Sequence, residues 1–414
     1  MNRGAGAVPF TAAVTGLGVV SAAGLGVKET WHAALHGTVG RIVRPVSWQG
    51  LPHDFFYAVP HFDADVLLGR RLTRQMDRFS QLAVVAVREA LADAGLEPEA
   101  WDASRVAVLI GSSHGGVDIY DAQNAVMREK GDRRVSPMLA PLTLLNAAAA
   151  SVCLDTGARG PSMGVASACA SGTAAIGYGR MLLQAGLADI VIAGGAESMQ
   201  SRALCASCVR ARVVSLRGDE PQRALRPFDA GRDGMATGEG AGIVVMERPE
   251  HAAARRVPVR ALVAGFGATN DAYSPAVPHP DGRGIEAALR NALADAGLGP
   301  EDIGLVNAHG TSSVANDLVE GTVLHRVLGD SVPVFGTKPV TGHTLGASGA
   351  IETALTVLAL NEQCVPPTAN LEQQDPAITI DVVRGKARPC HAKAAAKTSL
   401  GFGGHNAALV LTAP

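Results

Sequence analysis

The chain alternates between two hydrophobic rhythms, and the alternation repeats. Around Leu82, Val85, Ala86 and Ala90 the apolar side chains recur at three- and four-residue intervals, which predicts a helix. This segment runs into "EALADAGLEPEAW" and stops at Gly95, a suitable left-handed cap, with a proline just beyond. A strand-like apolar run follows, "RVAVLIGSS". The same succession returns in the second half. "NALADAGLGPEDI" begins at Asn291, closes at Gly297 before a proline, and leads into "IGLVNAHGTSS". The shared "ALADAGL" starts at Ala90 and at Ala292, 202 residues apart in a chain of 414. A period this long is no solenoid and predicts two similar α/β modules, each a sheet covered by helices. Because the cap and the following strand are shared too, chance similarity in an alanine-rich chain is a poor explanation.

The first half holds a further strand–loop–helix passage, "SMGVASACASGTAAIGYGRMLLQAG", followed by the strand-like "DIVIAGGAES". Small residues around Cys169 permit a tight turn, and from Ser171 onward helical spacing takes over (Ala174, Ala175, Tyr178, Met181, Leu182). Cys169 is thereby placed at a helix N-terminus. There, free backbone N–H groups and the helix dipole favour a thiolate, lowering the thiol pKa, and can hold an oxyanion. A small buried cysteine in a crowded turn has the same local signature.

Two histidines tip the balance. His309 follows the repeated strand in "VNAHGTSS", at a strand end of the kind where α/β folds place functional groups, and His343 lies in the glycine-rich "GTKPVTGHTLGASGAIE". A cysteine that carries an acyl group, with two imidazoles to stabilise negative charge and handle protons, makes a thiol-transfer site. The reaction itself stays open at this point.

Composition removes several other classes. Hydrophobic residues make up 47% and charged residues 18%, enough for a core and too few charges for a disordered chain. The net charge of −2 gives no global support to nucleic-acid binding. Six cysteines (153, 169, 205, 208, 364, 390) form no disulfide framework, and the single C-x-x-C of Cys205 and Cys208 lacks further ligands at zinc spacing, so no metal is expected. The apolar run after Arg3 is punctuated by glycines and reads as strand and loop rather than a secretory leader. No unbroken stretch is long enough for a membrane span, and the cytoplasm is the default location.

The segments "ASACASG", "NAHGTSS", "GTKPVTGHTLGASGAIE" and "LGFGGHN" occur in an order and spacing that resemble the elongating β-ketoacyl-acyl carrier protein synthases. "AVTGLGVVSAAG", "RGPSMGVASAC", "IVIAGGAES" and "RPFDAGRDGMATGEGAG" extend the resemblance from about residue 10 to the C-terminus. It implies an α/β chain with a duplicated thiolase-like fold, its helix-covered mixed sheets stacked in five α-β-α-β-α layers. Residues 1–255 would carry the nucleophile and 256–414 the catalytic histidines. The implied reaction is decarboxylative condensation of a Cys169-bound acyl chain with a malonyl unit in fatty-acid or type II polyketide elongation.

Carried over by position, Cys169 resembles the nucleophile, and His309 and His343 the pair that promotes decarboxylation and stabilises the enolate. Lys338 matches the lysine that organises the histidines, Glu352 its partner, and Phe402 the gating residue whose backbone N–H joins the oxyanion hole. Thr311 and Ser313 match positions that bind the pantetheine arm, Ser313 replacing the commoner threonine. Asp317 and Glu320 fall at acidic positions expected to be structural. His114, in place of an apolar or small residue, stands near the acyl pocket, and Met138 and Leu139 where a dimer mate closes the tunnel's far end. No bound cofactor is implied, because the substrates arrive on the phosphopantetheine of acyl carrier protein. Arg71, Arg74, Arg133, Arg134, Arg210 and Arg212 match basic positions that dock this acidic partner.

A homodimer, or a heterodimer with a chain-length-factor-like subunit, is the implied assembly. A thiolase would carry a second catalytic cysteine where this chain reads "GFGG", and a silent scaffold subunit would lack Cys169.

Overall fold

The computed structural model describes residues 9–414, and its two halves follow one plan. In the first, Ala12–Val20 pairs antiparallel with Gly240–Glu247, and that strand pairs antiparallel with Ile190–Glu197. Val106–Gly111 and Ser162–Val165 then follow in parallel. In the second half Ala261–Asn270, His405–Thr412, Ala394–Gly401, Ile303–Asn307 and Val334–Phe335 repeat the same order and the same directions. The halves meet where Ala12, Ala13 and Val14 pair with Val263, Leu262 and Ala261. That short ladder fuses the two five-stranded units into one ten-stranded mixed sheet.

Helices Ser171–Gln184 and Ser348–Glu362 pack against each other between the halves, and nearly every residue of the second is buried. Arg78–Ala94 and Arg283–Ala296 are amphipathic and cover the outer faces. The layers therefore run helix, sheet, helix, sheet, helix, with one ladder bridging the two sheets.

The repeated sequence has a direct structural cause. Gly95 and Gly297 adopt φ of 58° and 69° and end their helices in the left-handed region, as the pattern predicted. Each helix then lies almost on the backbone of its strand. A Cβ at Gly16 would come within 2.1 Å of the Ala90 carbonyl, and one at Gly265 within 2.0 Å of the Ala292 carbonyl. An aspartate from each helix accepts a strand N–H at this contact, Asp93 from Leu17 and Asp295 from Phe266. Small residues and a helix aspartate set the depth of packing in both copies.

The Arg3 run resolves into the strand Ala12–Val20 from residue 12 onward; its first residues lie outside the described ones. All six cysteines are free. Cys205 packs with Trp48, Phe56 and Ala58, so half of the C-x-x-C motif is core. Among the described residues no helix is long and apolar enough to cross a membrane.

Candidate active site

Cys169 sits on a sharp turn ahead of the Ser171–Gln184 helix. Ala168 is forced to φ of 50°, an uncomfortable value for a residue with a side chain. Ser171 clamps the turn, its hydroxyl accepting from Ser167 N at 2.9 Å and donating to Ala168 O at 2.6 Å. The loop 401–404 closes over this turn so tightly that a Cβ at Gly401 would lie 2.6 Å from Ser167 O. The close approach brings the Phe402 backbone N–H near enough to Cys169 to favour its thiolate. Phe402 itself is 41% exposed and lines the cavity.

His309 follows the Ile303–Asn307 strand and is held by its backbone. Its N–H and that of Gly310 donate to the two carboxylate oxygens of Glu320, at 2.7 and 2.8 Å. Thr398 donates to the same carboxylate. Asp317 accepts from Ser312 and Phe228 N in the same manner, so both acids shape the loop, as expected of structural residues. Behind the His309 ring, Nζ of Lys338 lies 3.3 Å from Nδ1 and also donates to the His309 carbonyl. Lys338 pairs with Glu352 at 2.6 Å, and a second buried lysine, Lys397, reaches the other oxygen of Glu352 at 2.9 Å. Lys397 has no counterpart in the sequence reading.

His343 is anchored from two sides. Its N–H donates to Ala236 O, and its Nδ1 lies 2.9 Å from the Ser348 hydroxyl. The two imidazoles stand nearly perpendicular, with centroids 5.4 Å apart. Sγ of Cys169 and a nitrogen from each ring lie within 4.8 Å of one another, all three side chains buried.

Burial governs the charge state of this cluster. It holds both imidazoles well below the ordinary histidine value, and the Lys338 ammonium lowers them further, so both rings are neutral near pH 7. Burial also pushes the Cys169 thiol up to about 12, against the opposing pull of Lys338 and the Phe402 N–H. The thiolate expected from the helix N-terminus is thus not the resting form, because desolvation outweighs those stabilising groups. For Cys169 to react as a thiolate its proton has to leave, and a neutral imidazole is at hand.

A cavity of about 250 Å³ opens from Cys169, His309 and His343 towards solvent past Thr311, Ser313, Arg212 and Phe402. The hydroxyls of Thr311 and Ser313 are 2.9 Å apart on its wall. Residues 11–252 match the family described as beta-ketoacyl synthase, N-terminal domain, and residues 260–372 match its C-terminal domain. The chain belongs to the β-ketoacyl synthase family.

This ketosynthase is 40% identical over 402 residues to a 3-oxoacyl-[acyl-carrier-protein] synthase 2 of Vibrio harveyi, covering 96% of this chain and 97% of that one. Among solved structures it resembles the ishigamide ketosynthase/chain length factor at 30% identity and a TM-score of 0.92. It likewise resembles a type II polyketide ketosynthase in complex with its acyl-carrier protein, at 30% identity and a TM-score of 0.89. Each covers 98% of the ketosynthase and is itself covered in full.

Three residues expected at the acyl pocket do not line the ketosynthase cavity. Met199 and Leu345 are buried in one cluster with Cys169, with Val117 and Leu204 packed against them. His114 is half-buried, and its enclosed Nδ1 has no hydrogen-bond partner among the described residues. It stands near the wholly buried Glu197, whose carboxyl is pushed up by burial and brought partly back by the His114 ring. Glu197 accepts from Ser113 N and Gly346 N, tying the His114 segment to the loop that carries Leu345. Met138 is 39% exposed and Leu139 half-buried on the surface, since the bulk they offer points away from their own chain's cavity. The six arginines singled out for docking are all exposed and form no salt bridge among the described residues, and Arg212 stands at the cavity mouth.

Proposed function

We propose that this ketosynthase elongates acyl chains by decarboxylative Claisen condensation, with Cys169 as the covalent carrier. The observation that carries the reading is the buried convergence of one thiol and two neutral imidazoles within 4.8 Å. In the first half-reaction, Cys169 sulfur attacks the thioester carbonyl of an acyl-carrier protein. The developing oxyanion is met by the Phe402 N–H and that of Cys169 itself. The tetrahedral intermediate collapses to acyl-Cys169, and the carrier thiol departs with the proton that Cys169 gave up.

In the second half-reaction a malonyl thioester enters past Phe402, its pantetheine arm resting on Thr311 and Ser313. Nδ1 of His309 faces an ammonium that can only donate, so the ring proton resides on Nε2 and points at the substrate. That N–H, with His343, stabilises the enolate formed as carbon dioxide leaves. The enolate carbon attacks acyl-Cys169, forms the new C–C bond and releases the sulfur as a thiolate, which takes a proton from solvent. Lys338 and Glu352 hold His309 in place.

The same reading assigns the exposed arginines to an acidic carrier protein. It places a second subunit, identical or chain-length-factor-like, along the free edge of Ser162–Val165, where Met163, Leu144 and Leu145 are exposed. His114 and the partner's bulk then set the acyl tunnel. The cytoplasm is the compartment of these carriers.

Intact-mass measurement with a panel of acyl-carrier proteins tests the reading. Acyl adducts are expected on the full chain and not on Cys169→Ala, and added malonyl-carrier protein should discharge them as β-ketoacyl product. No adduct, with or without a partner subunit, would reject it.

A further inference from the structure

Cys169, His309 and His343 offer one ligand atom each to a common point, and all three side chains are buried. A thiolate with two imidazoles is a zinc-type donor set. A tetrahedral ion with ligands at about 2.0–2.3 Å needs them roughly 3.5 Å apart, a modest contraction from the separation observed. Ser348, bonded to Nδ1 of His343, is the kind of outer partner that steadies a metal-bound imidazole. By donors, burial and support on this side, the cluster is built like a metal centre.

On the other side it is built against one. His309 has an ammonium behind it instead of a carboxylate or carbonyl, since Lys338 Nζ lies 3.3 Å from Nδ1. The lysine makes Nδ1 an acceptor and so places the ring proton on Nε2, the atom a metal would need. Charge works in the same direction. The Lys338 ammonium disfavours positive charge on both imidazoles, and the same field opposes an arriving cation.

We propose that Lys338, besides orienting His309, keeps this Cys-His-His cluster free of soft divalent ions, zinc above all. The nucleophile has to stay available for acyl groups, and a bound ion would block it. Binding would replace the Cys169 thiol proton, release it to solvent, and require the His309 proton to move to Nδ1, directly against the ammonium. Lys338 acts as a positioning residue in both senses. Removing it leaves Glu352 within ion-pair distance of Lys397, at 2.9 Å.

The test is metal binding, which stands or falls separately from condensation activity. Cobalt(II) serves as the optical probe, with Lys338→Met and Lys338→Gln compared to the unsubstituted chain and folding checked by thermal melting. The variants should develop a near-ultraviolet thiolate-to-cobalt band that saturates at one ion per chain, with affinity about 10- to 100-fold tighter than the unsubstituted protein. Zinc should displace the cobalt and protect Cys169 from alkylation, and Cys169→Ala on the Lys338→Met background should abolish the band. A merely structural lysine would lower the melting temperature and create no band. The proposal is overturned if folded Lys338 variants show no thiolate band, or if the unsubstituted chain binds cobalt through Cys169 equally tightly.

Discussion

Nζ of Lys338 lies 2.6 Å from Oε1 of Glu352, and neither side chain reaches solvent. The same carboxylate lies 2.9 Å from Nζ of Lys397, which the buried Glu320 also faces. Glu352→Gln deprives both buried ammoniums of this partner, and a loss of about 3–5 kcal/mol in stability is expected, read from the denaturant midpoint. Adding Lys397→Met should restore part of that loss by removing one of the two charges. A Glu352→Gln protein as stable as its parent would mean that the lysines are not charged as described.

The buried thiol sets a second expectation. Only the thiolate is alkylated, and its fraction grows tenfold per pH unit below the thiol pKa. With Cys169 pushed up to about 12, its alkylation by iodoacetamide should climb by about tenfold per unit from pH 7 to 10 without levelling. Intact mass at timed points measures this. A plateau near the ordinary thiol value would contradict the burial argument.

For the imidazoles the sign is reversed. Burial and Lys338 disfavour the protonated ring, so His309 and His343 stay neutral as the pH falls through the ordinary value of 6.5. Malonyl decarboxylation should therefore show no acid break near 6.5, and its rate should decline only at lower pH. A titration at 6.5 in the decarboxylation profile would place an ordinary, solvated histidine in the rate-determining step.

Gly401 carries a purely steric prediction, since its φ of −127° suits any residue. Gly401→Ala puts a methyl 2.6 Å from Ser167 O and 3.1 Å from Cys169 N. The loop must retreat and take the Phe402 N–H with it. Loss of one such donor costs about 100-fold or more in rate, so acyl loading should slow by that order while the melting temperature changes little. Loading within twofold of the parent would remove Phe402 from the oxyanion hole.

Much of this architecture was legible in the chain. The repeated "ALADAGL" announced two modules because close packing on glycine, a left-handed cap and a strand-facing aspartate recur together, and each leaves a mark in sequence. Cys169, His309 and His343 were legible because their turns require small residues on either side. Lys397 was not. It sits in "AAAKTSL" on a central strand, where a lysine reads as an outward residue, and its partner Glu352 lies on a helix 45 positions away. The resting thiol was illegible for a related reason. A helix start can be read from local spacing, whereas the depth of burial depends on both halves closing around it. The packing of Met199 and Leu345 on Cys169 was illegible too, because it joins residues far apart in the chain.

The division of labour between the halves bears on synthesis of the chain. Cys169 belongs to the first copy, whereas the imidazoles, the lysines and the Phe402 loop all belong to the second. During translation the nucleophile leaves the ribosome about 230 residues before Phe402, on a half that has no use for it. Reactivity is therefore the last property the molecule acquires, arriving only when Ala394–Gly401 and His405–Thr412 complete the second sheet. Until then the nascent protein carries Cys169 without the second-half residues that surround it in the finished fold.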